Sequence, residues 1–307
     1  MVRFLIARFL QSVLVVVLVY TGTFCLLMLA PGDPFIGEKK PPQAVLNALH
    51  ERFAIDHPWK AYVLYAWRPL RYGDFGPSIK YENWTVREII AASLPVSVTL
   101  GALALVMALW LGVGAGTLGA LYKGRWPDLG LTVVTLLGVS LPSFVIATML
   151  VMVFAVAWPV LPAGGWGTLR QLILPALALA LFYLAYIARL TRASVLDVLS
   201  ADYVRTAWAK GLPGRRVIGT HVLRNAGLPV LSFVGPAAAM VLTGAFVVEK
   251  VFAIPGMGTH FVNACLNKDI PLVLGVVMVY TVIVVTFNLL VDVAYAWVDP
   301  RISLGGR

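Results

Sequence analysis

Six long apolar runs dominate the pattern of this chain. They cover residues 9–30, 94–121, 129–157, 172–188, 229–248 and 271–291, and each meets or approaches the roughly 20 residues that a bilayer core demands. A membrane-crossing helix is predicted for each, because in hydrocarbon a helix satisfies its own backbone polar groups. The fourth run is the shortest, with 17 residues and a length of about 26 Å at 1.5 Å per residue. Arg3 and Arg8 ahead of the first run leave two readings, a cleaved signal peptide or a retained span. Its 22 uncharged residues and the lack of a small-residue pair at Met28-Leu29-Ala30 before Pro31 favour the span.

Two polar segments separate the runs most widely. Residues 31–93 open with the turn-rich Pro31-Gly32-Asp33-Pro34, and an amphipathic helix is predicted over 42–53. Gly73-Asp74-Phe75-Gly76-Pro77-Ser78 reads as a tight turn with glycines where positive φ is needed. Residues 189–228 carry seven cations and only two acids, Asp197 and Asp202. There Ser200 is the expected N-cap of a helix over 201–210, with Asp202 in the first turn and Lys210 in the last. Gly211 ends it, with Pro213 and Gly214 just beyond. Val204, Ala207 and Trp208 form an apolar stripe, with Arg205 and Lys210 off it. A second short helix is expected over 215–225 before the chain re-enters the membrane at Leu228-Pro229. On these residues alone, an amphipathic helix lying on lipid is the default.

Composition excludes a soluble fold. Apolar residues make up 60% of the chain and charged ones 12%, against roughly 25% charged in soluble domains, and the mean hydropathy is +0.87. The net charge of +10 has a topological explanation. With six spans and the amino terminus inside, the inner segments hold 13 cations against four acids, and the outer segments 11 against nine. This obeys the positive-inside rule with both termini cytosolic, and no nucleic-acid partner is needed. Cys25 and Cys265 admit a disulfide, but two unpaired apolar fillers are the simpler reading. The organisation is a first span over 1–30, an extracytoplasmic insert over 31–93, and a five-helix core over 94–307 that contains the 189–228 loop.

Inside the runs little chemistry is present. Gly112, Ala115, Gly116 and Gly119 give small-xxx-small spacing, which suits packing within the chain and a subunit interface equally. Pro142 sits mid-run and should kink its helix. Asp292, one turn beyond Asn288, is the sole ionisable residue near a span, which argues against an ion-coupled secondary transporter or channel. His50, His57, His221 and His260 lie outside the runs, and no H-E-x-x-H, G-x-S-x-G or G-x-x-x-x-G-K-[ST] motif occurs. The chain therefore lacks the means to hydrolyse ATP in the P-loop manner, and if it transports anything the energy comes from elsewhere.

Arg205-Thr206-Ala207-x-x-x-Gly211 resembles the E-A-A-x-x-x-G loop of ABC-importer permeases, in the R-T-A-x-A-K-G form of the peptide branch. Arg205 replaces the acidic residue, and the distance to Leu228-Pro229 is longer than in the general pattern. Leu29-Ala30-Pro31-Gly32-Asp33-Pro34, the 73–78 turn, Leu94-Pro95-Val96-Ser97, Pro142-Ser143-Phe144 and Leu174-Pro175-Ala176-Leu177 match in order along the chain. So do Ala188-Arg189-Leu190-Thr191-Arg192, His221-Val222-Leu223-Arg224-Asn225-Ala226, Glu249-Lys250-Val251-Phe252, Pro255-Gly256-Met257-Gly258 and Asp299-Pro300-Arg301. The whole is similar to the B-type (OppB-like) permease subunits of oligopeptide and dipeptide ABC importers.

That resemblance implies an all-α, six-span, type I (MetI-like) permease in a bacterial inner membrane. Its implied partners are a homologous second permease, two cytosolic ATPases that bind ATP and Mg, and an extracytoplasmic peptide-binding protein. The chain itself would hold no cofactor or metal and would not be an enzyme. The 201–210 helix would be the coupling helix, with Asp202, Arg205, Thr206, Ala207, Lys210, Gly211, Leu212, Arg215 and Arg216 at the ATPase, and Ala207 deep in the ATPase groove. Pro255, Gly256 and Gly258 would sit on the outer rim. A pathway for varied peptides calls for small, weakly polar groups, for which Ser97, Thr99, Ser140, Ser143, Thr243 and Asn288 are candidates. Helix packing accounts for each of these equally well. Dipeptides, glutathione and nickel chelates remain open as substrates beside oligopeptides.

Overall fold

A computed structural model describes residues 2–35, 41–243 and 245–298. They are almost entirely helical, and the one β-type pairing among them is the isolated bridge between Pro77 and Thr85. Among the described residues, five helices are long and apolar enough to cross a membrane, and a bent pair brings the total to six if it counts as one span. The chain divides into two compact units, the first built from residues 1–97 and 255–289 and the second mainly from 98–254.

In the first unit, α1 (Val2–Leu29), α3 (Pro58–Tyr72) and α13 (Ile270–Val298) share a core of Tyr20, Phe24, Ala61, Tyr65, Ile270 and Leu274. The Tyr20 hydroxyl donates to the Tyr62 carbonyl at 2.6 Å, and that of Tyr65 donates to the Phe53 carbonyl at 3.1 Å, which fixes α3 between α1 and α2 (Gln43–Phe53). The expected 42–53 helix thus forms, with Pro42 as its N-cap. A second core joins Val86 and Ile89 at the start of α4 (Val86–Leu121) to Met257 and Ala264 of α12 (Met257–Leu266) and to Leu272, Val273 and Val276. Gly73 and Gly76 have φ of 66° and 105°, as the turn reading required, and the Arg68 guanidinium packs where a side chain at Gly76 would lie.

The second unit is organised around α7, Leu169–Leu199. It packs against α5 (Trp126–Ser140), α6 (Ser143–Val151) and α10 (Leu223–Thr243). The small residues of α4 serve this packing. A methyl group at Gly116 would collide with the Ala188 carbonyl, and one at Gly112 would lie 2.9 Å from Ile187 Cγ2, so the stripe closes onto α7 of its own chain.

Three expectations change. The 17-residue fourth run is part of a 31-residue helix, about 46 Å long. Hydropathy stops at Arg189, but Thr191 and Val195 stay buried beyond it, so the packed stripe and the helix continue. Pro142 does more than kink a helix. It ends one and caps the next, and the segments Trp126–Ser140 and Ser143–Ala157 differ in direction by 115°. The separate 215–225 helix does not exist as such: α9 (Gly214–Arg216), a π-helical stretch (Val217–Val222) and α10 form one continuous helix. Within that helix Pro229 and Pro236 are accommodated. Cys25 and Cys265 are free and exposed.

Candidate coupling site

α8 spans Asp202–Ala209. Its N-cap is Ala201, in extended conformation, and not Ser200, which caps the C-terminus of α7. The Ser200 hydroxyl is already spent on the Asp197 carbonyl, at 2.7 Å. The C-terminus closes in a Schellman motif. Gly211 N–H donates to the Trp208 carbonyl at 2.9 Å and Leu212 N–H to that of Ala207 at 3.4 Å, with Gly211 at φ +73°. That left-handed conformation costs an L-residue about 1–2 kcal/mol, which is why glycine stands there.

One face of α8 is sealed. Val204 and Ala207 pack with Ala120, Val195, Val217, Val222 and Ala226, and Leu212 lies against the same cluster. Ala207 is therefore small because its own chain surrounds it, which corrects the expectation that it reaches into a partner's groove. Trp208 leaves the expected stripe: it is half-exposed, with its ring edge over Gly214. The opposite face is free of the core. The Asp202 side chain is fully exposed and that of Arg205 73% exposed, their charges 3.8 Å apart. Thr206, Lys210, Gly211, Arg215 and Arg216 are also exposed. Asn225 Nδ2 donates to the Tyr203 hydroxyl at 2.8 Å, joining α8 to the start of α10.

An ion pair unanticipated from the sequence stiffens the base of α7. Arg192 Nε lies 2.6 Å and Nη2 2.8 Å from the two Asp128 oxygens, and Asp128 also accepts Gly124 N–H at 2.9 Å. The bidentate geometry ties the turn between α4 and α5 to α7. A separation of 64 positions gives no local signal for the pairing. A missed signal did exist at the other end of α7: Thr168 and Gln171 form a capping box, legible as Thr-x-x-Gln.

The remaining candidates scatter. Ser140 and Ser143 line a cleft of about 420 Å³ at the helix break, with Ile146, Leu179 and Tyr183. Ser97 is buried in the first unit and accepts Met257 N–H at 2.8 Å, so it caps α12 and does not present an open polar surface. Thr99 and Asn288 are exposed, and the Thr243 side chain lies outside the described residues. Of the rim residues only Pro255 is exposed. Gly256 and Gly258 are buried, because Gly256 is the N-cap of α12 and Met257 drives into the core.

Asp269, absent from the candidates, is the buried polar centre of the first unit. One carboxylate oxygen accepts the Ser78 hydroxyl and the N–H groups of Ile79 and Lys80, both at 3.0 Å, and the other accepts Leu272 N–H at 3.2 Å. The 73–78 turn is thus held by the carboxylate that caps α13. Beside it, Lys268 Nζ donates to the carbonyls of Ala30 and Gly32, the latter at 2.6 Å.

Long apolar helices, a broken pair and a short helix displayed between two long ones define a multi-pass membrane protein of transporter type. A solved structure described as an amino acid ABC transporter with histidines aligns with a TM-score of 0.52, covering 68% of this chain and 93% of its own at 15% identity, so the fold is shared. Residues 108–304 match the family of binding-protein-dependent transport system inner membrane components. The oligopeptide transport system permease protein OppB of Salmonella typhimurium is 44% identical over 98% of this chain and 99% of its own length. The dipeptide transport system permease protein DppB of Bacillus subtilis is 40% identical over 99% of each. The chain belongs to the family of binding-protein-dependent transport system inner membrane components, as an ABC-importer permease subunit.

Proposed function

We propose that this permease carries peptides inward, oligopeptides first, and that α8 is the coupling helix seated in a cytosolic ATPase. The observation that carries the reading is the asymmetry of α8. Its apolar side is locked into its own chain by Val204 and Ala207, while Asp202, Arg205 and Thr206 face away. A rigidly mounted helix transmits a push, whereas a loose one absorbs it. ATP changes the transport equilibrium only insofar as the ATPase holds α8 differently in its two states.

In this reading both termini are cytosolic, a homologous second permease completes the pathway, and two ATPases bind ATP and Mg. An extracytoplasmic binding protein delivers the peptide. The names of the relatives support the peptide class, and the choice between longer peptides and dipeptides rests on the greater identity to the oligopeptide proteins.

The test is affinity purification of the tagged chain from gently solubilised membranes, followed by ATPase assay and by uptake of labelled di- and pentapeptides. A second permease and two P-loop ATPases should co-purify. Arg205→Glu should leave the permease folded and inserted while ATPase capture and uptake fall. Full uptake in that variant would remove α8 from the coupling role. Side-specific labelling of cysteines placed in 31–93 and 189–228 reads the orientation separately.

A further inference from the structure

α3 has two apolar faces where one would suffice. At about 100° per residue, Ala61, Tyr65 and Tyr62 fall on the side packed against α1 and α13. Trp59, Val63, Trp67 and Leu70 recur at spacings of four, four and three and form a second stripe, roughly 80° wide. They stay 75, 46, 59 and 79% exposed. Lys60 and Arg71 border this stripe, and the helix contains no acid. Leaving a large apolar side chain in water forgoes the free energy gained by burying it. Two tryptophans edged by cations are the pattern of a membrane interface, where rings sit at headgroup level and cations reach phosphates.

The depth agrees. α3 joins α1 at Tyr20, Thr21 and Phe24, which lie about 18–24 Å along the helix from Arg8, the last cation before the uncharged run. In a core of about 30 Å, that is roughly 6–12 Å short of the far surface, close to the 5–10 Å burial of an interfacial helix. An apolar groove of about 590 Å³ continues from Leu70 along Val13, Val17, Met278, Val282 and Ile283. It has the lining and direction of an acyl-chain track.

We propose that α3 is an interfacial anchor. Outer-leaflet glycerophospholipid covers the Trp59, Val63, Trp67 and Leu70 stripe, Lys60 and Arg71 meet lipid phosphates, and an acyl chain follows the groove. The insert is thereby seated on the membrane at a fixed height. Only the choice of leaflet rests on the orientation proposed above, and the depth measurement is independent of it.

The test uses the full chain, co-expressed with its partners, in bilayers of phosphatidylethanolamine and phosphatidylglycerol. In a Cys25→Ser/Cys265→Ser background, spin labels go on Val63→Cys, Leu70→Cys and, as a control on an exposed site of α2, Glu51→Cys. Power saturation should show residues 63 and 70 open to oxygen and closed to a water-soluble nickel chelate, with residue 51 the reverse. Trp59→Gln/Trp67→Gln should restore nickel access at residue 63. Nickel access at 63 in the parent would place the stripe in water, and closure to both reagents would mean a protein covers it. Either result, or no response to the tryptophan changes, overturns the anchor.

Discussion

The 31–93 insert and the 189–228 segment are both polar interruptions of an apolar chain, and both pack on apolar clusters, yet the insert is also tied down by buried and charged polar groups. The insert adds directional polar anchors to its apolar cores: Asp269 gathers the 78–80 turn, Lys268 grips the carbonyls after α1, and His50 bridges Asp33 at 2.8 Å and Asp56 at 3.1 Å. The α8 segment is held through aliphatic contacts and a glycine cap, and its charges point outward. Directional anchors fix position, while a greasy seat leaves the charged face of α8 exposed. In the proposed coupling, a part that stays still and a part that is pushed have different fastenings.

The comparison can be broken at its strongest point first. Asp269→Ala strands several N–H donors in a buried place and should cost roughly 3 kcal/mol or more. Hydrogen exchange should accelerate at residues 79, 80 and 272 while α8 stays protected. Wild-type protection there would mean that the carboxylate does not hold the turn. Next, Ala207→Glu buries an unpaired charge, costing about 3–5 kcal/mol locally, and proteolysis should open the 189–228 segment. Arg205→Glu, on the exposed face, should leave that cleavage pattern within about 0.5 kcal/mol of the parent. Equal sensitivity of the two variants would erase the sealed-face and open-face distinction.

Smaller effects sharpen it. Gly211→Ala should cost about 1–2 kcal/mol through the left-handed conformation alone, since nothing lies within 4 Å of the added methyl. Thermal unfolding should shift without new cleavage sites. The mildest prediction concerns His50. Burial pushes its pKa down, but the hydrogen bond and charge of Asp33, aided by Asp56, carry it above the ordinary 6.5. The folded-state value being raised, the latch is at full strength below the ordinary histidine value and is lost as pH rises through the folded one. Amide exchange around residues 33–56 should therefore quicken on moving to alkaline pH, by an amount worth about 0–1 kcal/mol. His50→Gln should flatten that dependence.

The spans and α8 were legible because each has a local signature: an uncharged run long enough for a bilayer, and a Gly-Leu-Pro-Gly stop after an i, i+3 stripe. Helix lengths were misread because hydropathy reports the bilayer and not the helix. α7 runs past Arg189 since packing, not lipid, holds its last three turns. Pro142 was visible, but a proline specifies only a lost hydrogen bond and a clash. How far the chain then turns depends on what the next helix packs against. Asp269 and the Arg192–Asp128 pair left no trace, because their partners lie 64 or about 190 residues away.

The sequence by itself determined that this is a multi-pass helical membrane protein with a permease signature, since backbone satisfaction in lipid and cap chemistry act over a few residues. Only the tertiary structure decided which side of α8 is sealed, that Gly256 and Gly258 are interior, and that α3 presents tryptophans outward. Burial depends on which distant surfaces meet, and a local pattern fixes the faces of a helix without saying what each face will touch.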